Sequence, residues 1–262
     1  MSKNEIKYYS KLKQKKYREE EGLFLIEGNN LIEECVKSSV YKDLLLKVFV
    51  RNDYPDTEFI SSFTHFNPHI DIVYTDSSGI KALSDTVTSQ GIIGVVKKPV
   101  DPVFIRSEES KGQLFVLLES INDPGNLGTI LRTCYWYGVE KVFLSFDSAD
   151  IYNSKVLRSS QGAVFHLNIK SNIDAVKLTE KLHQNNFNIF LTDLKAKEYV
   201  SRIQFKDSEN YLAVFGNESA GISISILENP NYKRVKIRGF SECESLNLAV
   251  SAGILLDRIK NN

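Results

Sequence analysis

A chain of 262 residues with 42% hydrophobic and 25% charged residues has ordinary globular composition and length enough for two cores rather than one. Its zero net charge argues against a protein that coats nucleic acid non-specifically, and no stretch approaches the roughly 18 consecutive apolar residues of a membrane helix. Cys35, Cys134 and Cys243 are odd in number, far apart and form no CxxC pair, which argues against a disulfide framework or zinc ribbon and predicts reduced thiols.

The N-terminal MSKNEIKYYSKLKQKK is charged but has no apolar stretch ahead of a small-residue cleavage site, so a soluble, cytoplasmic protein is expected. Residues 1 to 20 carry a local balance of +4, and Lys13, Lys15, Lys16 and Arg18 form a possible phosphate-contacting surface. A solvated helix face of mixed charge is the competing reading. GLFLIEG then reads as a buried strand, and NNLIEECVKSS as a helix from the spacing of Leu31, Ile32, Cys35 and Val36. LLLKVFV and DIVYT look like strands separated by a helical segment. SSGIKALSD has a Ser N-cap ahead of Ile80 and Leu83, and GIIGVV closes the unit. His65 and His69 stand at metal-like spacing, but Pro68 interrupts any helix there and no third ligand is near, so no metal is predicted.

The pattern predicts an α/β domain over 1–98, a linker over 99–112 with two prolines and a charged run, and a second α/β domain over 113–262. In that second domain QLFVLLES, KVFLSF, AVFHLNI, FNIFLTDL, YLAVFGNES and YKRVKIRG read as strands. DAVKLTEKLHQNN and SLNLAVSAGILLDRIK read as helices, and NSKVLRSSQG as a polar segment. Near-continuous apolar strands between helices imply a mainly parallel sheet covered on both faces, with ligands beyond the strands' carboxyl ends. Three turns fall there: NDPGNLG, GNESAG and GFSECESLN.

The first turn, in NDPGNLGTILRTCYWYG, invites a phosphate-loop reading that fails on inspection. A Walker loop needs a lysine after its last glycine, and none occurs before Lys141; the dinucleotide GxGxxG spacing is also absent. What survives is the general attraction of a helix N-terminus for an anion. Leu127, Ile130, Leu131 and Cys134 make one apolar stripe, and Tyr135, Trp136 and Tyr137 carry apolar surface most of the way round. Such a helix is buried all round, in a core or at a subunit interface.

NDPGNLGTILRT, AVFGNESAGIS and VKIRGFSECESLNLAVSAGILL, in this order and separation, resemble the three signature motifs of the SpoU (TrmH-like) RNA 2'-O-ribose methyltransferases of the SPOUT superfamily. KLKQKKYREEEGLFLIEGNNLIEECV resembles the ribosomal-protein-like substrate-binding domain that precedes the catalytic domain in many members. The resemblance implies a deep trefoil knot, S-adenosylmethionine bound in the knot loops, and a homodimer with its active site at the interface. It also implies RNA as substrate, most simply rRNA. A tRNA substrate, or a ribosome-assembly protein that binds RNA without catalysis, remains the alternative.

Carried over position by position, the resemblance implies Asn126, Arg132, Glu218, Ser245 and Asn247 as the catalytic set, and Gly216, Asn217, Gly221, Ile237, Gly239 and Leu246 around the cofactor. Arg158, in VLRSSQG, is a further RNA contact or a solvated arginine. Arginine holds its proton so firmly that a general-base role for Arg132 needs strong activation; clamping a phosphate and polarising the 2'-hydroxyl is physically easier. Simpler roles compete at each place: Glu218 as the cap of a following helix, Asn126 as a turn residue, Ser245 and Asn247 as caps of the last helix. Arg238 and Ser219 depart from a proline and a glycine common in the family, which freshens the question of loop geometry there.

Overall fold

The structure, a computed structural model, describes residues 3–100 and 112–261, which form two compact units. Most of the segment expected to be a linker, 101–111, lies outside the described residues.

The first unit contains helices α1 (Lys3–Ser10), α2 (Lys15–Glu21), α3 (Asn29–Lys37), α4 (Thr57–Phe66) and α5 (Ser77–Leu83). Its strands are β1 (Leu23–Glu27), β2 (Leu45–Arg51), β3 (Asp71–Thr75) and β4 (Ile92–Lys97), in the order β1-β4-β2-β3. β4 runs antiparallel to both β1 and β2, and β2 runs parallel to β3. Leu12, Phe49, Ile80, Leu83, Ile93 and Val95 fill one core of this unit, removing apolar surface from water as the alternating strand pattern requires. The cap of α5 is Asp76 rather than the expected serine: its carboxylate accepts from Gly79 N, and Ser77 is already helical.

The second unit begins with β5 (Leu114–Leu118), α6 (Pro124–Trp136) and β6 (Lys141–Ser145). Helix α7 (Ser154–Ser160) comes next in the chain but lies in the first unit; β7 (Ile169–Ile173), α8 (Ala175–Gln184), β8 (Phe187–Thr192) and β9 (Glu198–Tyr199) continue the second. β10 (Asn210–Phe215), α9 (Ile224–Leu227), β11 (Lys233–Lys236) and α10 (Leu248–Lys260) complete the chain. The seven strands lie in the order β7-β6-β5-β10-β8-β11-β9, and every described pairing is parallel. Phe115, Leu117, Leu212, Val214 and Ile226 belong to its core, and the apolar β5 and the almost wholly apolar β10 sit side by side in the sheet as two-faced burial demands.

Residues 150–166 belong with the first unit, not with the sheet that precedes and follows them. The expected polar segment NSKVLRSSQG is helix α7, which buries Val156, Leu157 and Ser160. The expected strand AVFHLNI is instead a single 3-10 turn over Ala163–Phe165, with β7 starting only at Ile169. Gln161 (φ 52°) and Gly162 (φ +83°) turn the chain left-handed just ahead of it, and Ser38 Oγ donates to the Phe165 carbonyl at 2.6 Å. Burial without a strand satisfies the apolar run AVF equally well, which is why pattern alone misreads it.

Candidate active site

The site is built where loops leave the carboxyl ends of β5, β10 and β11. α6 starts immediately after the turn NDP: Asp123 is its N-cap, accepting from Asn126 N at 2.7 Å, with Pro124 at the first helical position. The Asp123 carboxylate therefore satisfies one of the amides at this helix N-terminus.

Asn126 is the hub. Its Nδ2 donates to Glu218 Oε1 at 3.1 Å, and its Oδ1 accepts from Asn247 Nδ2 at 2.9 Å. One side chain from each of the three motifs thus joins a single hydrogen-bonded row. Asn247 also caps α10, its Oδ1 accepting from Ala249 N at 2.9 Å. The capping role considered for it coexists with the network. The other three simple roles do not hold: Asn126 lies inside α6, the N-cap residue of α9 is Ser223 and not Glu218, and that of α10 is Asn247 and not Ser245.

The structure leaves Arg132 apart from this row. It lies six residues beyond Asn126, which is roughly 9 Å along the axis and on a different face of the helix. Arg132 is exposed and shares its face with Trp136, one turn on. Trp136 is 83% exposed and Tyr135 48%, so the helix is not buried all round; only its Leu127–Cys134 stripe enters the core. Tyr137 Oη donates to Asp257 Oδ1 of α10 at 3.2 Å, and Val250 and Ile254 of α10 are exposed apolar residues as well. Ser245 is exposed, on the loop leading to Asn247.

Two connections that the sequence did not announce hold the first and second motifs together. Asn217 Nδ2 donates to the Ser120 carbonyl at 2.8 Å, and Glu119, buried at the end of an otherwise apolar strand, accepts from Ser223 N at 2.9 Å. The polar ending of LFVLLES was the available signal. Asn217 Oδ1 also accepts from Ser219 N and Ala220 N, and its backbone bridges to Gly221, so its side chain is occupied in shaping the turn.

The glycines differ in what they provide. A Cβ on Gly216 would lie 2.3 Å from the Gly221 carbonyl carbon, so glycine is needed there for the turn to close on its own backbone, and Gly221 has φ +72°. A Cβ on Gly239 would meet nothing within 4 Å. Outside helices and strands, no backbone–backbone hydrogen bond is described for residues 237–246; Cys243 N donates to Ser241 Oγ at 3.4 Å, and the Ser245 carbonyl accepts from Cys243 Sγ at 3.3 Å. Peptide amides and carbonyls of that loop lie beside the half-buried Ile237 and the 48% exposed Leu246. Uncharged donors and acceptors with apolar side chains suit the edge and face of a purine, as the expected cofactor requires.

The expected RNA-contacting residues of the first unit fare unevenly. Arg18 is 3% exposed, paired with Asp150 at 2.7 Å and donating to the carbonyls of Leu12 and Lys13. It is a structural arginine, and the surface role expected for it is withdrawn. Lys13 donates to the Ser84 carbonyl at 2.6 Å. Lys15 and Lys16 are exposed beside Glu19 and Glu20, each at 3.8 Å. Arg158 is half-buried, with one guanidinium nitrogen enclosed and without a hydrogen-bond partner among the described residues. It lines a cavity of about 20 Å³ with Glu27 and Asp85, which corrects the picture of a solvated arginine.

Comparison with known proteins agrees with this geometry. Residues 113–257 match the SpoU rRNA Methylase family, and residues 3–94 match an MRM3-like substrate binding domain. The chain is 30% identical over 261 residues to the Bacillus subtilis 23S rRNA (guanosine(2553)-2'-O)-methyltransferase RlmP, covering 97% of this chain and 95% of that protein. Among solved structures, a putative RNA methyltransferase of the TrmH family from Porphyromonas gingivalis superposes with a TM-score of 0.82 at 25% identity, covering 100% of this chain and 98% of that one. The SpoU methyltransferase AviRb from Streptomyces viridochromogenes, solved with the cofactor AdoMet, shares the fold with a TM-score of 0.85 at 20% identity, over 99% of this chain and 98% of that one. With its three motifs joined through Asn126 and its sheet matched across the whole chain, this protein belongs to the SpoU rRNA methylase family.

Proposed function

We propose that the protein transfers a methyl group from S-adenosylmethionine to a ribose 2'-hydroxyl of ribosomal RNA. The observation that carries this reading is the Glu218–Asn126–Asn247 row, which draws one residue from each motif to one place. The rRNA methyltransferase name of the B. subtilis relative favours rRNA over tRNA. When bound, the cofactor supplies a methyl group already activated by a positive sulfur, so the protein's task is alignment and activation of a weak nucleophile. Gly216, Gly221, Ile237, Gly239 and Leu246 hold the cofactor, chiefly through their backbone, and Asn217 shapes the turn that carries Gly221. Asn126, Glu218, Ser245 and Asn247 orient the reacting groups. Arg132 takes the phosphate beside the target ribose and polarises its hydroxyl.

The same reading makes the protein a cytoplasmic homodimer with a knotted catalytic domain over 113–262, and makes 1–98 the RNA-gripping domain. Exposed Tyr135, Trp136, Val250 and Ile254 on α6 and α10 support the dimer, and the shared face of Arg132 and Trp136 has Arg132 acting next to the partner subunit. No helix among the described residues is long and apolar enough to cross a membrane.

The experiment is turnover and cofactor binding of Arg132→Ala. Turnover falls by about 100-fold or more while calorimetry still detects the cofactor. Wild-type turnover in the variant removes Arg132 from the mechanism. A wild-type protein that takes up no cofactor leaves a binding protein on a methyltransferase scaffold.

A further inference from the structure

The edge of the larger sheet carries a cluster that runs into the cofactor loop through Arg238 and Phe240, though none of its side chains belongs to the motif row or to the residues assigned to the cofactor. β9 pairs with β11 there, setting Tyr199 opposite Lys236. Lys236 Nζ lies 5.3 Å from the centre of the Tyr199 ring, the Arg202 guanidinium 5.5 Å and the Arg238 guanidinium 6.0 Å. Arg238 also lies 5.0 Å from the ring of Phe240, which is 86% exposed. Lys195 and Lys197 are exposed on the approach to β9. Of the nearby acids, Asp193 is paired with Arg234, and Glu198 is exposed on β9 itself; Glu242 and Glu244 lie further along the loop.

Three cations gathered about one ring repel each other, and the ring faces offset only part of that repulsion. An almost fully exposed phenylalanine held under a guanidinium is equally unusual for a side chain that normally removes its area from water. A polyanion with planar bases resolves both: phosphates neutralise the cations with release of counterions, and a base stacks on the exposed ring. We propose that Tyr199, Arg202, Lys236, Arg238 and Phe240 form a contact for a single-stranded stretch of the substrate RNA. The inference rests on the RNA methyltransferase reading and extends it to a surface that selects the substrate. A sheet edge guarded against aggregation by its charges is the competing explanation.

The test uses the full-length protein and deproteinised ribosomal RNA from a strain lacking the gene, with binding measured between about 50 and 300 mM salt. Phe240→Ala weakens RNA binding by about 5- to 100-fold, and Phe240→Tyr, which keeps the ring, restores it. Replacing Arg202 and Arg238 together by Gln lowers the slope of log affinity against log salt by about 1.4, the value for two single-strand phosphate contacts. Phe240→Ala and Arg202→Gln keep wild-type calorimetric affinity for S-adenosylhomocysteine. RNA affinity and salt slope equal to wild type in these variants overturn the proposal in favour of an edge guard. Loss of cofactor affinity in step with RNA affinity overturns it too, because the cluster then acts through the cofactor loop. A wild-type protein that binds neither cofactor nor RNA removes the methyltransferase reading itself, an outcome distinct from both.

Discussion

Asn247 donates to Asn126 across 2.9 Å although 121 residues separate them, and the same Asn247 side chain caps α10. Position of the last helix and position of the motif row are thereby set by one residue. Asn247→Asp keeps a good capping oxygen but loses the donor and sets a carboxylate against Asn126 Oδ1. Thermal stability stays near wild type, while turnover falls roughly 100-fold, as misplaced groups in a preorganised site cause. Asn247→Ala loses stability as well, by about 0.5–2 kcal/mol. An Asn247→Asp enzyme with normal turnover would show that the row has no part in catalysis.

Gly216 and Gly239 make a matched pair. A methyl group at 216 meets backbone at 2.3 Å, whereas one at 239 meets nothing within 4 Å. Gly216→Ala destabilises the protein by about 1–3 kcal/mol in urea unfolding, because backbone atoms cannot step aside as a flexible side chain can. Gly239→Ala leaves the unfolding midpoint unchanged and weakens S-adenosylhomocysteine binding. Equal stability in the two variants contradicts the close backbone packing at Gly216.

Much of this was legible in the sequence, and the exceptions have physical causes. β5 is a continuous apolar run, and β10 and β8 are nearly so, broken only by Asn210, Asn188 and Thr192, a pattern that suits a two-faced parallel sheet, so fold class followed from pattern. The three motifs, by contrast, became one site only through resemblance, because spacing carries no information about which turns meet in space. Arg18 misled for a related reason: a basic helix looks alike whether its arginine faces solvent or Asp150, a partner far along the chain. The passage of 150–166 into the first unit was equally invisible, since local pattern describes elements and not the core they join.

Trp136 stands 83% exposed one helical turn beyond Arg132. Trp136→Glu places a charge in the proposed subunit interface, where an unpaired charge is strongly disfavoured. Sedimentation equilibrium shifts from dimer to monomer, and turnover falls with it because Arg132 no longer meets its partner. A variant that remains dimeric, or a wild-type protein that is monomeric, counts against that interface.

Glu34 accepts from His166 at 2.9 Å and from Lys37 at 3.1 Å. Burial works against its charge, yet those hydrogen bonds hold its carboxyl below the ordinary value of 4.5. Between the depressed folded value and the ordinary unfolded one, the unfolded chain binds more protons, so stability rises with pH. The contribution is complete above the ordinary carboxylate value and is lost as pH falls through the folded one. Urea unfolding across about pH 3 to 7 therefore gives a shallower acid-side slope for Glu34→Gln than for wild type. Identical slopes would place the acid sensitivity elsewhere.

The most direct measurement of the central claim is a map of 2'-O-methylated riboses in total RNA from a strain lacking the gene and from its parent. One ribosomal RNA position loses its methyl group in the deletion, regains it with the wild-type gene, and does not regain it with Arg132→Ala. Identical maps from deletion and parent would contradict the assignment of this protein as an RNA 2'-O-methyltransferase.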